Sequence, residues 1–142
     1  MQDKNISAEA LLKEAAEASK NSYSPYSKFT VGAAILCSDG DIITAANVEN
    51  RSYGLTICAE RSAIVKAISQ GKSDFSAIAI YCGKADYPVS PCGACRQVIS
   101  EFAKPEMPVI FSGADINNRV ETTVEEIFPF NALDEMRDGR YD

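Results

Sequence analysis

Apolar residues fall in blocks along this chain, some at helical spacing and some as short continuous runs. Leu11, Leu12, Ala15, Ala16 and Ala18 recur at the interval of one helix face, behind Ser7, whose hydroxyl suits an N-cap. The pattern predicts a helix to about Lys20, then a loop, NSYSPYSK, over 21–28. FTVGAAILC (29–37) has the length and content of a strand, Ser38-Asp39-Gly40 is a hairpin turn, and Ile42 to Asn47 is the returning strand. After the loop NVENRSYGL, Thr56 can cap a helix to about Ser69, with Gly71 just past its end. FSAIAIYC (75–82) predicts a buried strand, GKADYPVSP (83–91) a loop, and a helix follows from about Cys92 to Phe102. MPVIFS and RVETT are two further short strands. Thr123 and Glu126 form a capping-box pair for a last short helix that Pro129 interrupts. Strands alternating with helices predict an α/β fold, a sheet with helices on both faces.

A length of 142 residues suits one domain, 1–142, with a core of its own. The net charge of −6, with Lys and Arg scattered, disfavours a nucleic-acid partner, which asks for a basic face. No apolar run reaches membrane-span length, and MQDKNISAEA lacks the apolar core of a signal peptide, so no membrane partner and a cytoplasmic home are expected. Thiols stay reduced there, and five cysteines, an odd number, then suggest metal or catalysis more than disulfides. There is no histidine. Any metal ligand or proton carrier must be another residue type.

Cys92 and Cys95, in SPCGACRQVISEF, are spaced C-x-x-C at a helix start. Alone, that spacing fits a redox dithiol or half of a structural zinc site. A structural site needs a fourth ligand, and the chain has neither a second C-x-x-C nor a histidine pair. It has Cys58, at another helix start, with Glu60 two residues on. Three thiolates and an open fourth position describe a catalytic Zn²⁺ site. Helix N-termini favour thiolate over thiol. Across a helix start, Cys58 and Glu60 can approach one small volume, so Glu60 can touch a water at the open position without ligating the metal.

CAER (58–61) with PCGACRQ (91–97) resembles the zinc-dependent nucleoside deaminases, most nearly the small, three-cysteine, homotetrameric cytidine deaminases. The resemblance runs from SPYSKFTVGAA to the last helix and includes NVENRSYGLTICAERSAI. It implies a three-layer α-β-α sandwich around a mixed sheet of about five strands. It also implies hydrolysis of cytidine and deoxycytidine to the uridines and ammonia, in pyrimidine salvage. Cys58, Cys92 and Cys95 would hold zinc, and Glu60 would shuttle protons between water, the ring N3 and the leaving amino group. Three thiolates leave the site near −1, and Arg61, matched to an arginine of the family, would offset that by donating to sulfur. Gln97 would support the ligand helix. Arg96 reads as a solvated charge. By the same resemblance Asn47 and Glu49 would bind ribose hydroxyls, Phe29 would pack on the base, the Ala59 N–H would meet the base carbonyl and the Ser90 carbonyl the amino group. Tyr53 would reach the sugar of a neighbouring subunit. Glu49 would also repel a phosphate, favouring free nucleosides. Two positions depart from the family: Arg51 replaces a small residue, and IFPFNAL places Ala132 in an aromatic slot, leaving either Phe128 or Phe130 to close a neighbour's pocket or the pocket with a looser lid.

Plainer roles compete. Cys37 and Cys82 end apolar strands and read as inert buried thiols. Phe29 could be plain core, Asn47 and Glu49 turn residues, and Arg61 a surface charge. Two other functions stand beside cytidine deamination. A non-enzymatic zinc module would need a closed four-ligand site and a basic face. A deaminase of a modified nucleoside, of blasticidin type, or of a base in a polynucleotide is the other; NVEN and the lack of a basic groove favour plain nucleosides.

Overall fold

The computed structural model describes residues 6–134. Its elements are α1 (Ala8–Ser19), β1 (Val31–Cys37), β2 (Ile42–Ala46), a 3₁₀ turn at Tyr53–Leu55, α2 (Ala59–Ser69), β3 (Phe75–Cys82), α3 (Gly93–Phe102), β4 (Pro108–Ser112), β5 (Arg119–Thr123) and α4 (Val124–Ile127). One five-stranded sheet runs β2-β1-β3-β4-β5. All neighbouring pairs are antiparallel except β3 and β4, which run parallel and are joined through α3. The expected mixed sheet is present.

Side-chain alternation decides which helix covers which face. From β1, Ala34 and Leu36, and from β3, Ala77 and Ala79, pack with Leu11, Leu12 and Ala15 of α1. The alternate residues, Ala33 and Ile35 with Ile78 and Ile80, pack with Ala63 and Ile64 of α2 and Ile99 of α3. The result is three layers: α1, sheet, and α2 with α3. Leu11 and Leu12 are fully buried, each worth about 2–3 kcal/mol of apolar transfer. At Gly32 the α1 side of the sheet admits no side chain because the helix lies close: a Cβ there would sit 1.9 Å from the Ala15 carbonyl oxygen.

Helix ends follow local chemistry. The Ser7 hydroxyl accepts from the Ala10 N–H, as its type predicts. Gly71, at φ +82°, closes α2 in a Schellman turn, its N–H donating to the Ile68 carbonyl and that of Lys72 to Ala67. Thr123 accepts from the Glu126 N–H at the start of α4.

Three boundaries differ from expectation. Thr56 does not cap α2. Its N–H donates back to Tyr53 O and ends the 3₁₀ turn, and Ile57 pairs with Val48 in both directions. The chain stays extended through Ile57, so Cys58 becomes the N-cap. Strand β1 starts at Val31 because Lys28 takes a left-handed backbone, φ 62°, and Phe29 precedes the first ladder pair, Val31 with Cys82. Asn47 lies just beyond β2.

A candidate metal centre in an apolar cavity

Two helix starts meet beyond the Cys82 end of β3. Cys58 is the N-cap of α2 and Cys92 the N-cap of α3, both with extended backbones and neither using its side chain to cap. Both sulfurs are therefore free to turn elsewhere. Cys95 stands in the first turn of α3 and is fully buried. The three Sγ atoms lie within 4.8 Å of one another, and Cys58 and Cys92 are 3.9 Å apart. Tetrahedral zinc with Zn–S bonds of about 2.3 Å holds its sulfurs roughly 3.8 Å apart. Donor type and spacing both fit Zn²⁺. Among the described residues this is the one cluster of three or more such side chains close enough to hold a metal ion.

The cluster polarises itself. The Cys58 thiol is pushed down to about 5, first by the hydrogen bond from Cys95 and further by Arg61 and Cys92, against the opposing effect of burial. Cys95 is pushed up because its thiol donates to Cys58 and is buried. A dication at this point would strip the remaining protons. Arg61 Nη2 donates to Cys58 Sγ at 3.4 Å, as the charge argument requires. Its Nε and the Thr56 hydroxyl are buried without a hydrogen-bond partner.

Glu60, in the first turn of α2, is only 4% exposed. Burial raises its pKa to about 7, the Cys58 charge adds to the rise, and its own backbone N–H partly offsets it. A zinc dication nearby would lower it again. In the zinc-free site the group can hold or release a proton close to neutrality.

A cavity of about 400 Å³ opens beside this centre, a size suited to a small molecule. Cys58, Ala59, Glu60 and Cys92 form one wall, and Ser90 joins them. Phe29, Val31, Ile80, Cys82 and Val89 are the apolar lining, and Ser27, Asn47, Glu49, Tyr53 and Thr56 complete it. The sequence-derived residues Phe29, Asn47, Glu49, Tyr53, Ala59 and Ser90 thus meet the metal cluster in one space.

Asn47 and Glu49 are buried polar residues, not surface turn residues. Their segment is wedged between two loops: Glu49 N–H donates to Tyr23 O and Val48 N–H to Ile57 O. Asn47 Oδ1 accepts from the Val31 N–H and from the Ser22 hydroxyl, and its Nδ2 donates to Phe29 O at 2.8 Å. Glu49 accepts from the N–H groups of Tyr26 and Ser27 and from the Ser27 hydroxyl. Burial pushes the Glu49 pKa up, yet the Ser27 and Tyr26 donors outweigh it and hold the carboxyl below its ordinary range. Glu49 is charged at neutral pH.

Other expectations resolve as follows. Tyr53 is largely exposed, its ring edge-on to Tyr26 at 6.4 Å. Gln97 reaches Ser100 Oγ at 3.5 Å, bracing α3 from within. Cys37 is buried away from the cluster, its thiol raised chiefly by burial. Cys82 is also buried, but it lines the cavity, its thiol held up to about 12 first by burial and then by the Glu60 charge. Arg51 and Ala132 are exposed. Phe128 is half-buried, whereas Phe130 is fully exposed with a left-handed backbone, φ 55°. Two residues escaped sequence reasoning. Ser27 holds Glu49, and Arg96, expected as a solvated charge, hydrogen-bonds three oxygens. Both lie in quoted motifs, but Glu49, the partner of Ser27, and Ile127, one of the three partners of Arg96, are far away in the chain.

Comparison with known proteins agrees with this geometry. Residues 5–111 match the cytidine and deoxycytidylate deaminase zinc-binding region. The chain is 49% identical over 119 residues to the cytidine deaminase of Halalkalibacterium halodurans, covering 84% of this chain and 89% of that protein. It is 47% identical over 126 residues to the cytidine deaminase of Sporosarcina psychrophila, covering 87% and 90%. The 1.6 Å crystal structure of cytidine deaminase from Burkholderia pseudomallei matches with a TM-score of 0.84 and 38% identity, over 88% of this chain and 98% of that one. A three-sulfur centre on two helix starts, a buried carboxyl beside it and these relatives together place the chain in the cytidine and deoxycytidylate deaminase family.

Proposed function

We propose that this chain hydrolyses cytidine and deoxycytidine to uridine and deoxyuridine, releasing ammonia, with Zn²⁺ held by Cys58, Cys92 and Cys95. The observation that carries the reading is the buried Glu60 carboxyl sharing one cavity with the clustered Cys58 and Cys92. Zinc, when bound there, supplies Lewis acidity, making hydroxide available near neutral pH.

Glu60 does the proton work. It accepts a proton from water and delivers it to N3 of the cytosine ring as oxygen adds to C4; it then takes the second proton from the new C4 hydroxyl and passes it to the amino nitrogen, so that the C4 carbonyl forms as the C–N bond breaks and ammonia leaves. Burial and the Cys58 charge raise its pKa in the zinc-free site and a bound dication pulls the other way, so the carboxyl is placed to give and take a proton within one cycle. Arg61 offsets the charge of the thiolates. Phe29 packs on the base, the Ala59 N–H at the start of α2 donates to the base carbonyl, and the Ser90 carbonyl accepts from the amino group. Asn47 and Glu49 bind the sugar. The charged Glu49 disfavours a 5′-phosphate, so nucleosides are the expected substrates rather than nucleotides.

The active assembly is a homotetramer with shared pockets. Exposed Tyr53, Leu55 and Phe130, and an exposed Cys92 at the metal centre, support that reading, since a neighbouring subunit would give them cover. Five free cysteines suit the cytoplasm, and among the described residues no helix is long and apolar enough to cross a membrane.

The test is purified protein with cytidine, deoxycytidine or deoxycytidylate, following loss of the cytosine absorbance. Both nucleosides should react, a zinc chelator should stop the reaction, and added zinc should restore it. Zinc-replete protein inert toward both nucleosides would refute the proposal.

A further inference from the structure

Arg96 occupies the first turn of α3, where the helix dipole disfavours a cation. Among the described residues it makes no salt bridge that would account for its charge. Its guanidinium is instead spread over neutral oxygens from two distant parts of the chain. Nε donates to the Pro91 carbonyl at 2.7 Å, Nη2 to the Ser90 hydroxyl at 3.0 Å, and Nη1 to the Ile127 carbonyl, at the end of α4, at 2.6 Å. Ser90 and Pro91 immediately precede the cysteine that opens α3, and Ser90 lines the cavity. Three donors of one planar fork hold this approach segment to α4. Asn131 Nδ2 makes a second tie between the C-terminal stretch and α3, at Ser100 Oγ, 3.0 Å away.

We propose that Arg96 is a positioning residue for substrate: it fixes the Ser90–Pro91 segment against α4 so that the Ser90 carbonyl is held at the base-binding wall of the cavity. The inference rests on the nucleoside reading above. A flexible segment could still visit the bound geometry, but substrate would have to order it, and that ordering weakens binding. The fork is what matters. Lysine keeps the charge but offers its donors from a single point and cannot span three oxygens in different directions.

The experiment compares wild type, Arg96→Lys and Arg96→Ala as zinc-loaded proteins, measuring KM and kcat for cytidine, zinc per chain and Tm. Wild-type turnover tests the nucleoside reading by itself. Given an active wild type, the expected result is a KM raised about tenfold in Arg96→Lys, with kcat within about threefold, one zinc per chain, and a Tm close to wild type. In Arg96→Ala, millimolar guanidinium ion should lower KM again, and an equal concentration of sodium chloride should not. A wild-type KM in Arg96→Lys overturns the proposal. So does loss of zinc or of folding in both variants, because Arg96 would then be an anchor of the fold and not of the substrate segment.

Discussion

Replacing Arg61 by alanine tests the charge balance of the metal centre. The side chain donates from Nη2 to Cys58 Sγ at 3.4 Å, beside two more sulfurs within 4.8 Å. Three thiolates around a dication carry about one excess negative charge, by the rule that a coordinating thiol is deprotonated. A hydrogen bond to a charged group contributes about 1.5–3 kcal/mol. At about 1.4 kcal/mol per decade, its loss should weaken zinc binding roughly 10- to 150-fold. Deleting the outer partners of metal ligands typically costs about 10- to 100-fold, an independent route to the same range. Competition against a chromogenic zinc chelator at fixed pH measures the affinity directly, and kcat/KM for cytidine is read on zinc-saturated protein. Arg61→Lys keeps the charge without the guanidinium geometry and should fall between alanine and wild type. Zinc affinity and kcat/KM both unchanged in Arg61→Ala would refute the argument that this guanidinium offsets the thiolates.

Further outcomes are expected. Glu60→Gln should retain zinc and lose activity by at least about 10³-fold, since it removes the carrier of two proton transfers; zinc-loaded variant with wild-type kcat would contradict the shuttle. Gly32→Ala, whose new Cβ would lie 1.9 Å from a backbone oxygen of α1, should lose about 1–3 kcal/mol, a fall in Tm of about 3–10 °C; calorimetry showing an unchanged Tm would mean that α1 can lift from the sheet without penalty. In zinc-free protein, alkylation of Cys58 should be half-maximal near pH 5 and should fade as acid protonates the thiolate. Cys82, buried and held up to about 12, should stay unlabelled at pH 7. Peptide mapping that found Cys82 labelled before Cys58 would reverse the assigned order.

The three-cysteine cluster was legible because side chains able to share one ion must sit at short, fixed spacings on rigid starts. Cys92 and Cys95 advertise one helix start, and Cys58 with Glu60 the other. The hairpin at Ser38-Asp39-Gly40 and the Schellman glycine Gly71 were legible for the same reason: backbone geometry limits which residues fit. Thr56 misled because its type suits a cap, while the pairing of Ile57 with Val48 that pushes the helix start onward closes the intervening loop and carries no cap-like signal. Ser27 and Arg96 were missed on similar grounds. The bonds of Ser27 to Glu49 and of Arg96 to Ile127 span 22 and 31 residues, and no local period encodes such pairs. Phe29 was placed at the cavity but not in its setting: its backbone hydrogen-bonds to the Asn47 amide and the Ser27 hydroxyl, not to a strand partner.

Cys58 and Cys92 cap two different helices, 34 positions apart in the chain. An ion gripping both is therefore a crosslink as well as a reagent, closing a long loop and suturing α2 to α3 behind the sheet. Removing it would take away the Lewis acid and one of the ties between those helices in the same event. Zinc supply and thermal endurance of this fold are then one thermodynamic quantity seen from two sides.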